Sequence, residues 1–185
     1  MNSAAHADLE IASQPHIWAQ VADFAPSVLG LLPKPGDRVA ITGCGSSWFM
    51  AQSYAALRES LGHGETDVWV SSEFNFNRKY DKVVALSRSG TTTEVVEATS
   101  KINAPSVVIT AIPNSPIAAN TTEEIVMSFA DEESVLQTRW ATAALGLLRA
   151  SLGFDLQKIV SDAESALASN IDDLVELEQI SFLGR

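Results

Sequence analysis

Two short segments of this chain carry residue types suited to holding an anion: Ile41-Thr42-Gly43-Cys44-Gly45-Ser46-Ser47 and, further along, Leu86-Ser87-Arg88-Ser89-Gly90-Thr91-Thr92. Each ends an apolar run, Val39-Ala40-Ile41 or Val83-Val84-Ala85-Leu86, of the kind that forms a buried parallel strand. Each then places Gly, Ser and Thr where a helix should begin. The first N–H groups of a helix have no partner within it, and the helix dipole favours negative charge there. Two such turns in one domain predict a phosphorylated small molecule as ligand. The ordinary alternative for Ser46, Ser87 and Thr91 is N-capping, which Ser and Thr do in many proteins. Clusters at two corresponding strand ends favour binding.

Other chemistry is excluded more directly. Neither turn has the Gly-x-x-x-x-Gly-Lys-Ser/Thr pattern, and Gly43-x-Gly45 lacks both the third glycine and the following acidic residue of a dinucleotide fingerprint. Cys44 has no His close in sequence to activate it, so it reads as a small residue at a crowded strand end. His6, His16 and His63 read as surface or helix-end residues, and their spacing matches no zinc pattern. No metal and no cofactor are expected.

The elements that must position the turns follow from periodicity. Strands are expected near Arg38 to Thr42, Asp67 to Val70, Lys82 to Leu86, Ser106 to Thr110 and Ile125 to Phe129, with helices between most of them. Such alternation implies an α/β fold, a parallel sheet covered on both faces. Gln14 to Leu32 has helical spacing at Ile17, Val21, Phe24 and Val28, with Pro26 expected to end or kink it. Met50, Tyr54, Leu57 and Leu61 predict the buried stripe of the next helix, with Gly62 as its terminator. Ser134 to Leu152 is apolar on several sides, which predicts a subunit or domain contact. Leu156 to Val175 reads as a second long amphipathic helix.

Composition bounds the function class. At 185 residues and 46% hydrophobic content, one domain can bury roughly 70% of its unfolded surface. A net charge of -11 argues against nucleic acid, because a groove that tracks the backbone needs clustered Lys and Arg. The single cysteine permits no internal disulfide, which fits a reducing compartment. No apolar run approaches the roughly 20 residues that cross a bilayer, and Met1 to Leu9 has no signal-peptide pattern. A cytoplasmic protein without membrane attachment is expected.

Taken together, Glu10-Ile11-x-x-Gln14-Pro15, Gly43-Cys44-Gly45-Ser46-Ser47, Ser72-Glu73-Phe74, Ser87-Arg88-Ser89-Gly90-Thr91-Thr92 and Asp131-Glu132-x-x-Val135-x-Gln137-Thr138-Arg139 resemble the landmarks of the sugar isomerase (SIS) domain family. The likeness is to the first such domain of glucosamine-6-phosphate synthases and related ketose/aldose isomerases. It implies a three-layer αβα sandwich around a doubly wound, flavodoxin-like sheet of five parallel strands. It also implies an N-terminal helical segment over 1–35, a phosphosugar-binding domain over 36–153, a long helix over 154–179, and the start of a second SIS domain at 180–185.

The resemblance assigns the sugar phosphate to the positions of Ser47, Ser87, Ser89 and Thr92, a further ligand contact to Arg88, and a pocket-lining backbone to Val135. Gly45, Ser46 and Thr91 complete the candidate site. Arg88 stands where the synthases commonly have Gln, and Thr91 where they usually have Glu. Arg88 can therefore add a phosphate contact or point into solvent. Glu73 reads as a structural anchor more readily than as a residue reaching a partner's site.

The Glu, His and C-terminal Lys credited with catalysis in two-domain members have no matching position here. The chain is accordingly expected to be a phosphosugar-binding half of an aldose/ketose isomerase or an amino-sugar phosphate isomerase/deaminase, with little turnover alone, or else a non-catalytic phosphosugar-sensing or binding module. Fructose 6-phosphate and glucosamine 6-phosphate are the expected ligands, and a homodimer is the expected assembly.

Overall fold

Val39–Gly43 (β1) and Ser106–Thr110 (β4) are buried at every position, as strands covered on both faces must be. The computed structural model describes residues 3–134, 137–170, 174, 177–179 and 181. With β2 (Thr66–Val70), β3 (Lys82–Leu86) and β5 (Glu123–Val126), the strands form one parallel sheet in the order β2-β1-β3-β4-β5. Alternation along each strand divides the core between two faces. Val39, Ile41, Val84 and Leu86 point into the larger cluster, with Ile17 and Val21 from α2 (Gln14–Phe24), Tyr54 from α3 (Ser46–Ser60) and Trp140 and Leu147 from α5 (Arg139–Ala150). Ala40, Val83, Ala85 and Val108 point the other way, against Phe74, Ile117 and, from α4 (Thr93–Lys101), Val95 and Ala98. This is the expected three-layer sandwich. The helices after β1 and β3 lie on opposite faces, so the sheet is doubly wound.

The chain enters through α1 (Ser3–Ala12) and α2. Pro26 ends α2 as expected: the helix stops at Phe24 and Ala25–Ser27 continues as a 3-10 turn. Gly62, at φ 72, terminates α3.

Several expectations need correction. The buried stripe of α3 is Ser47, Ala51, Tyr54, Ala55 and Arg58, whereas Leu61 is exposed. Arg58 takes a core position because its guanidinium donates to the carbonyls of Lys34, Asp37 and Gly64 and to the Thr66 hydroxyl. The last strand is Glu123–Val126 and not Ile125–Phe129, since Ser128–Ala130 turns away while the Ser128 hydroxyl holds the Ala111 carbonyl. The helix expected from Ser134 begins at Arg139, because the buried Glu132 carboxylate accepts the backbone N–H groups of Thr138, Arg139 and Trp140. Its apolar surplus is covered inside the chain: Trp140, Ala143, Ala144, Leu147 and Leu148 are fully buried in the cluster shared with α2 and α3, so they need no subunit contact. The helix expected over Leu156 to Val175 is α6, which runs over Gln157–Leu167 and is capped at Ala168. Leu156 and Val160 reach the core, but Leu167 is already exposed. Ile171, Val175 and the strand start at 180–185, apart from Ser181, lie outside the described residues.

Candidate functional site

β1 and β3 are hydrogen-bonded neighbours, and Gly43 stands opposite Leu86 at their carboxyl ends. β2 flanks β1 on one side and β4 flanks β3 on the other. The chain leaves the two strands toward opposite faces here, which opens the crevice where doubly wound sheets bind ligands. Both Ser/Thr-rich turns are therefore at the switch point of the sheet.

The first turn is shaped by its glycines. Gly45 is the N-cap of α3 at φ 55 and offers no side chain to cap the helix. Ser46 opens α3 half-buried, and Ser47 is buried against the end of β1. The second turn is fixed by the end of β4. The Arg88 carbonyl accepts the Thr110 hydroxyl at 3.0 Å and the Ala111 N–H at 2.9 Å. Gly90, at φ 63, lies so near Ser115 that a Cβ there would fall 2.2 Å from the Ser115 side chain.

Thr92 is the N-cap of α4 yet makes no side-chain capping bond; its hydroxyl lies 3.1 Å from that of buried Ser87. Thr91 donates to the Ser89 hydroxyl oxygen through its N–H at 3.3 Å and its own hydroxyl at 2.9 Å, a local turn bond. The structure thus gathers Gly45, Ser46, Ser47, Ser87, Ser89, Thr91 and Thr92 at two adjacent strand ends. Capping by side chains accounts for neither helix start.

Arg88 neither faces open solvent nor stands free. Its guanidinium donates to Asp131 Oδ1 at 3.0 Å and to the Glu132 carbonyl. Val135 lies outside the described residues. Glu73 is exposed, and the anchoring falls to its neighbour Phe74, which packs with Ala40, Val83 and Ala98. His16 faces Gln20 on α2, and His63 sits at the amino end of the sheet, where its carbonyl accepts Gly36. Among the described residues no group of three or more His, Cys, Asp or Glu side chains is placed to hold a metal, and no helix is long and apolar enough to cross a membrane.

A cavity of about 320 Å³ adjoins the first turn, with Gln14, Ser46, Phe49, Gln137 and Thr138 in its wall. A larger one, about 420 Å³, opens at the amino end of β3 beside Val83 and Pro105 and includes none of the turn residues. Of these two, the smaller is the one beside the Ser46-Ser47 turn. Gln137 Oε1 is buried without a partner, an acceptor available to a ligand hydroxyl. Gln14, Gln137 and Thr138 received no ligand role from the sequence, although all three lie within its landmarks.

Glu10 was also passed over. It is 4% exposed and its Oε1 accepts the N–H groups of Glu133 at 2.6 Å and Ser134 at 3.2 Å. Burial pushes its pKa up, but the Ser134 side chain, those two amides and the charge of Arg139 outweigh it and leave the carboxyl below the usual glutamate value.

Comparison with known proteins agrees with this geometry. Residues 32–152 match the SIS domain family. Glutamine–fructose-6-phosphate aminotransferase (isomerizing) of Lactiplantibacillus plantarum is 29% identical over 168 residues, which span 80% of this chain and 28% of that protein. The chain thus corresponds to less than a third of that relative's length.

Among solved structures, tagatose-6-phosphate ketose/aldose isomerase from Escherichia coli superposes with a TM-score of 0.73 at 20% identity, over 90% of this chain and 54% of that one. Vibrio vulnificus NanR, complexed with ManNAc-6P, gives 0.60 at 19% identity, over 88% and 67%. An E. coli CFT073 protein in complex with A5P gives 0.60 at 19%, over 89% and 94%. These structures share the fold. The family match covers both turns, the sheet that places them side by side and the helix that closes the cavity, and the chain belongs to the SIS domain family.

Proposed function

We propose that this chain binds a phosphorylated sugar in the cytoplasm, with the phosphate between the Ser46-Ser47 turn and the Ser87–Thr92 turn. One observation carries the reading: two hydroxyl-rich helix starts stand on neighbouring strands at the switch point, and neither is capped by a side chain. Ser47, Ser87, Ser89 and Thr92 are the phosphate contacts, with Gly45, Ser46 and Thr91 shaping the turns. The cavity beside Ser46, with its unpartnered Gln137 oxygen, suits the sugar hydroxyls. The relatives named for sugar phosphates support this ligand class.

As part of a larger activity, the reading is that of a substrate-binding domain of an aldose/ketose or amino-sugar phosphate isomerase. Calorimetry with fructose 6-phosphate, glucosamine 6-phosphate and fructose tests the site. Binding of at least one phosphate and none of fructose is expected. Equal affinity for fructose and its phosphate would remove the role of both turns.

A non-catalytic sensing module is the second reading, favoured by the placement of His63 at the amino end of the sheet, away from both turns. Coupled-enzyme assays separate the two: binding without turnover supports the module, and robust isomerisation by the chain supports the enzyme. We also propose self-association. With α5 buried, the case rests on Leu167, Leu174 and Leu177, which are 50%, 46% and 54% exposed. Sedimentation equilibrium at micromolar concentration checks it, and a mass near 19.8 kDa would argue for a monomer.

A further inference from the structure

The Glu10-Ile11-x-x-Gln14-Pro15 landmark has no part in the phosphate contacts, yet it contains a buried carboxylate. Burying such a group is costly unless hydrogen bonds replace its water, and Glu10 receives two backbone amides at Oε1, with the Ser134 side chain and the charge of Arg139 also favouring the carboxylate. A solvated surface residue would serve α1 better, so what Glu10 holds matters. It holds the amides of Glu133 and Ser134, reaching them across 123 and 124 positions of sequence.

The described residues on either side of these amides, 131–134 and 137–138, touch both halves of the candidate site. At their beginning, Arg88 of the second turn donates to Asp131 and to the Glu132 carbonyl. At their end, Gln137 and Thr138 share a cavity wall with Ser46 of the first turn. Between these points Glu10 fixes the amides of Glu133 and Ser134. Arg139 closes the arrangement by donating to the Asp131 carbonyl and, at 3.2 Å, to the Ser13 hydroxyl at the end of α1.

We propose that Glu10 is a positioning residue: through the amides of Glu133 and Ser134 it fixes the segment that carries Gln137 and Thr138 against the ligand cavity, so that α1 is part of the binding machinery without touching ligand. The inference rests on the phosphosugar reading of the cavity. A chain with a loosened segment should still place both phosphate turns correctly. It should hold the sugar less well, because ordering the segment then draws on binding energy.

The test uses the full chain with Glu10→Ala and Glu10→Gln. Gln keeps an acceptor for the two amides and lacks the charge. In Glu10→Ala, hydrogen exchange at the Glu133 and Ser134 amides should accelerate by tenfold or more, about the factor expected for losing bonds to a charged acceptor. The Trp140 amide, held by Glu132, should stay protected. Affinity for fructose 6-phosphate or glucosamine 6-phosphate, whichever the wild type binds, should fall by about tenfold in the Ala variant and recover most of the way in Glu10→Gln. If the Ala variant does not fold, Glu10→Gln is read alone, and a smaller change in the same direction at those two amides and in affinity is expected.

Unchanged exchange at both amides, or wild-type affinity in the variants, would overturn the proposal. A wild-type chain that binds no sugar phosphate would overturn the site reading itself. Loss of affinity with exchange unaltered would show that Glu10 acts on the ligand by another route, which also overturns it.

Discussion

Gly43 and Ser47 meet at the end of β1 with no room for a side chain between them: a Cβ on Gly43 would lie 2.8 Å from the Ser47 Cβ and 3.1 Å from the Leu86 carbonyl oxygen. The contact seats α3 directly on the switch point and sets how closely the two turns approach. Gly43→Ala should therefore cost about 2 kcal/mol of stability through local displacement of α3 and weaken sugar-phosphate binding at the same time. Urea unfolding with calorimetry checks it. Loss of stability alone would mean that the turns tolerate the shift.

Thr92 gives a cleaner separation of binding from folding. Its hydroxyl faces Ser87 and does not cap α4, so Thr92→Val removes a donor at constant volume from the anion site. Affinity for a sugar phosphate should drop about tenfold, while stability changes by about 1 kcal/mol or less. The reverse pattern in parallel calorimetry and thermal denaturation would restore capping as the role of this turn.

Arg58 is fully buried and ties the turn before β1 to the start of β2 through four acceptors. Arg58→Met keeps much of the apolar stem but removes the charged donor from four acceptors; the Lys34 carbonyl keeps the Asp37 N–H and the Gly64 carbonyl keeps the Thr66 hydroxyl, whereas the Asp37 carbonyl loses its Arg58 partner. A loss of about 3 kcal/mol is expected in urea unfolding, because four hydrogen bonds from a charged donor are lost together. A loss below about 1 kcal/mol would show that water replaces the guanidinium.

Acid should act through Glu10. Its carboxyl is held below the ordinary value, so the folded state binds the proton more weakly than the unfolded chain does. The stabilisation is present above the unfolded glutamate value of about 4.3 and is lost as pH falls through the folded value. Thermal denaturation from pH 7 to pH 3 should therefore show a steeper acid loss for wild type than for Glu10→Gln. Parallel curves would show that the carboxylate is not selectively stabilised by folding.

Much of this was legible in the residues. The unbroken apolar runs at Val39 and Val83 specify buried parallel strands, Pro26 specifies the end of α2, and Gly45 and Gly90 after two of the strands specify sharp turns, because these effects depend on neighbours close in sequence. The order of the strands does not: the hydrophobic pattern of β1 and β3 is the same whether or not they pair. Only the sheet places Gly43 opposite Leu86 and so brings the turns together.

Long-range polar pairing was equally hidden. Nothing beside Glu10 or Arg58 in the sequence marks either for burial; the Glu133 amide, 123 positions from Glu10, and the Lys34 carbonyl, 24 positions from Arg58, supply the partners that allow it. Apolar surplus misled in the same manner. The apolar circumference of α5 cannot by itself distinguish a partner subunit from α2 and α3 of its own chain, and the tertiary packing decided for the latter. A sequence records which surfaces must leave water; which surfaces meet depends on the geometry by which the whole chain closes.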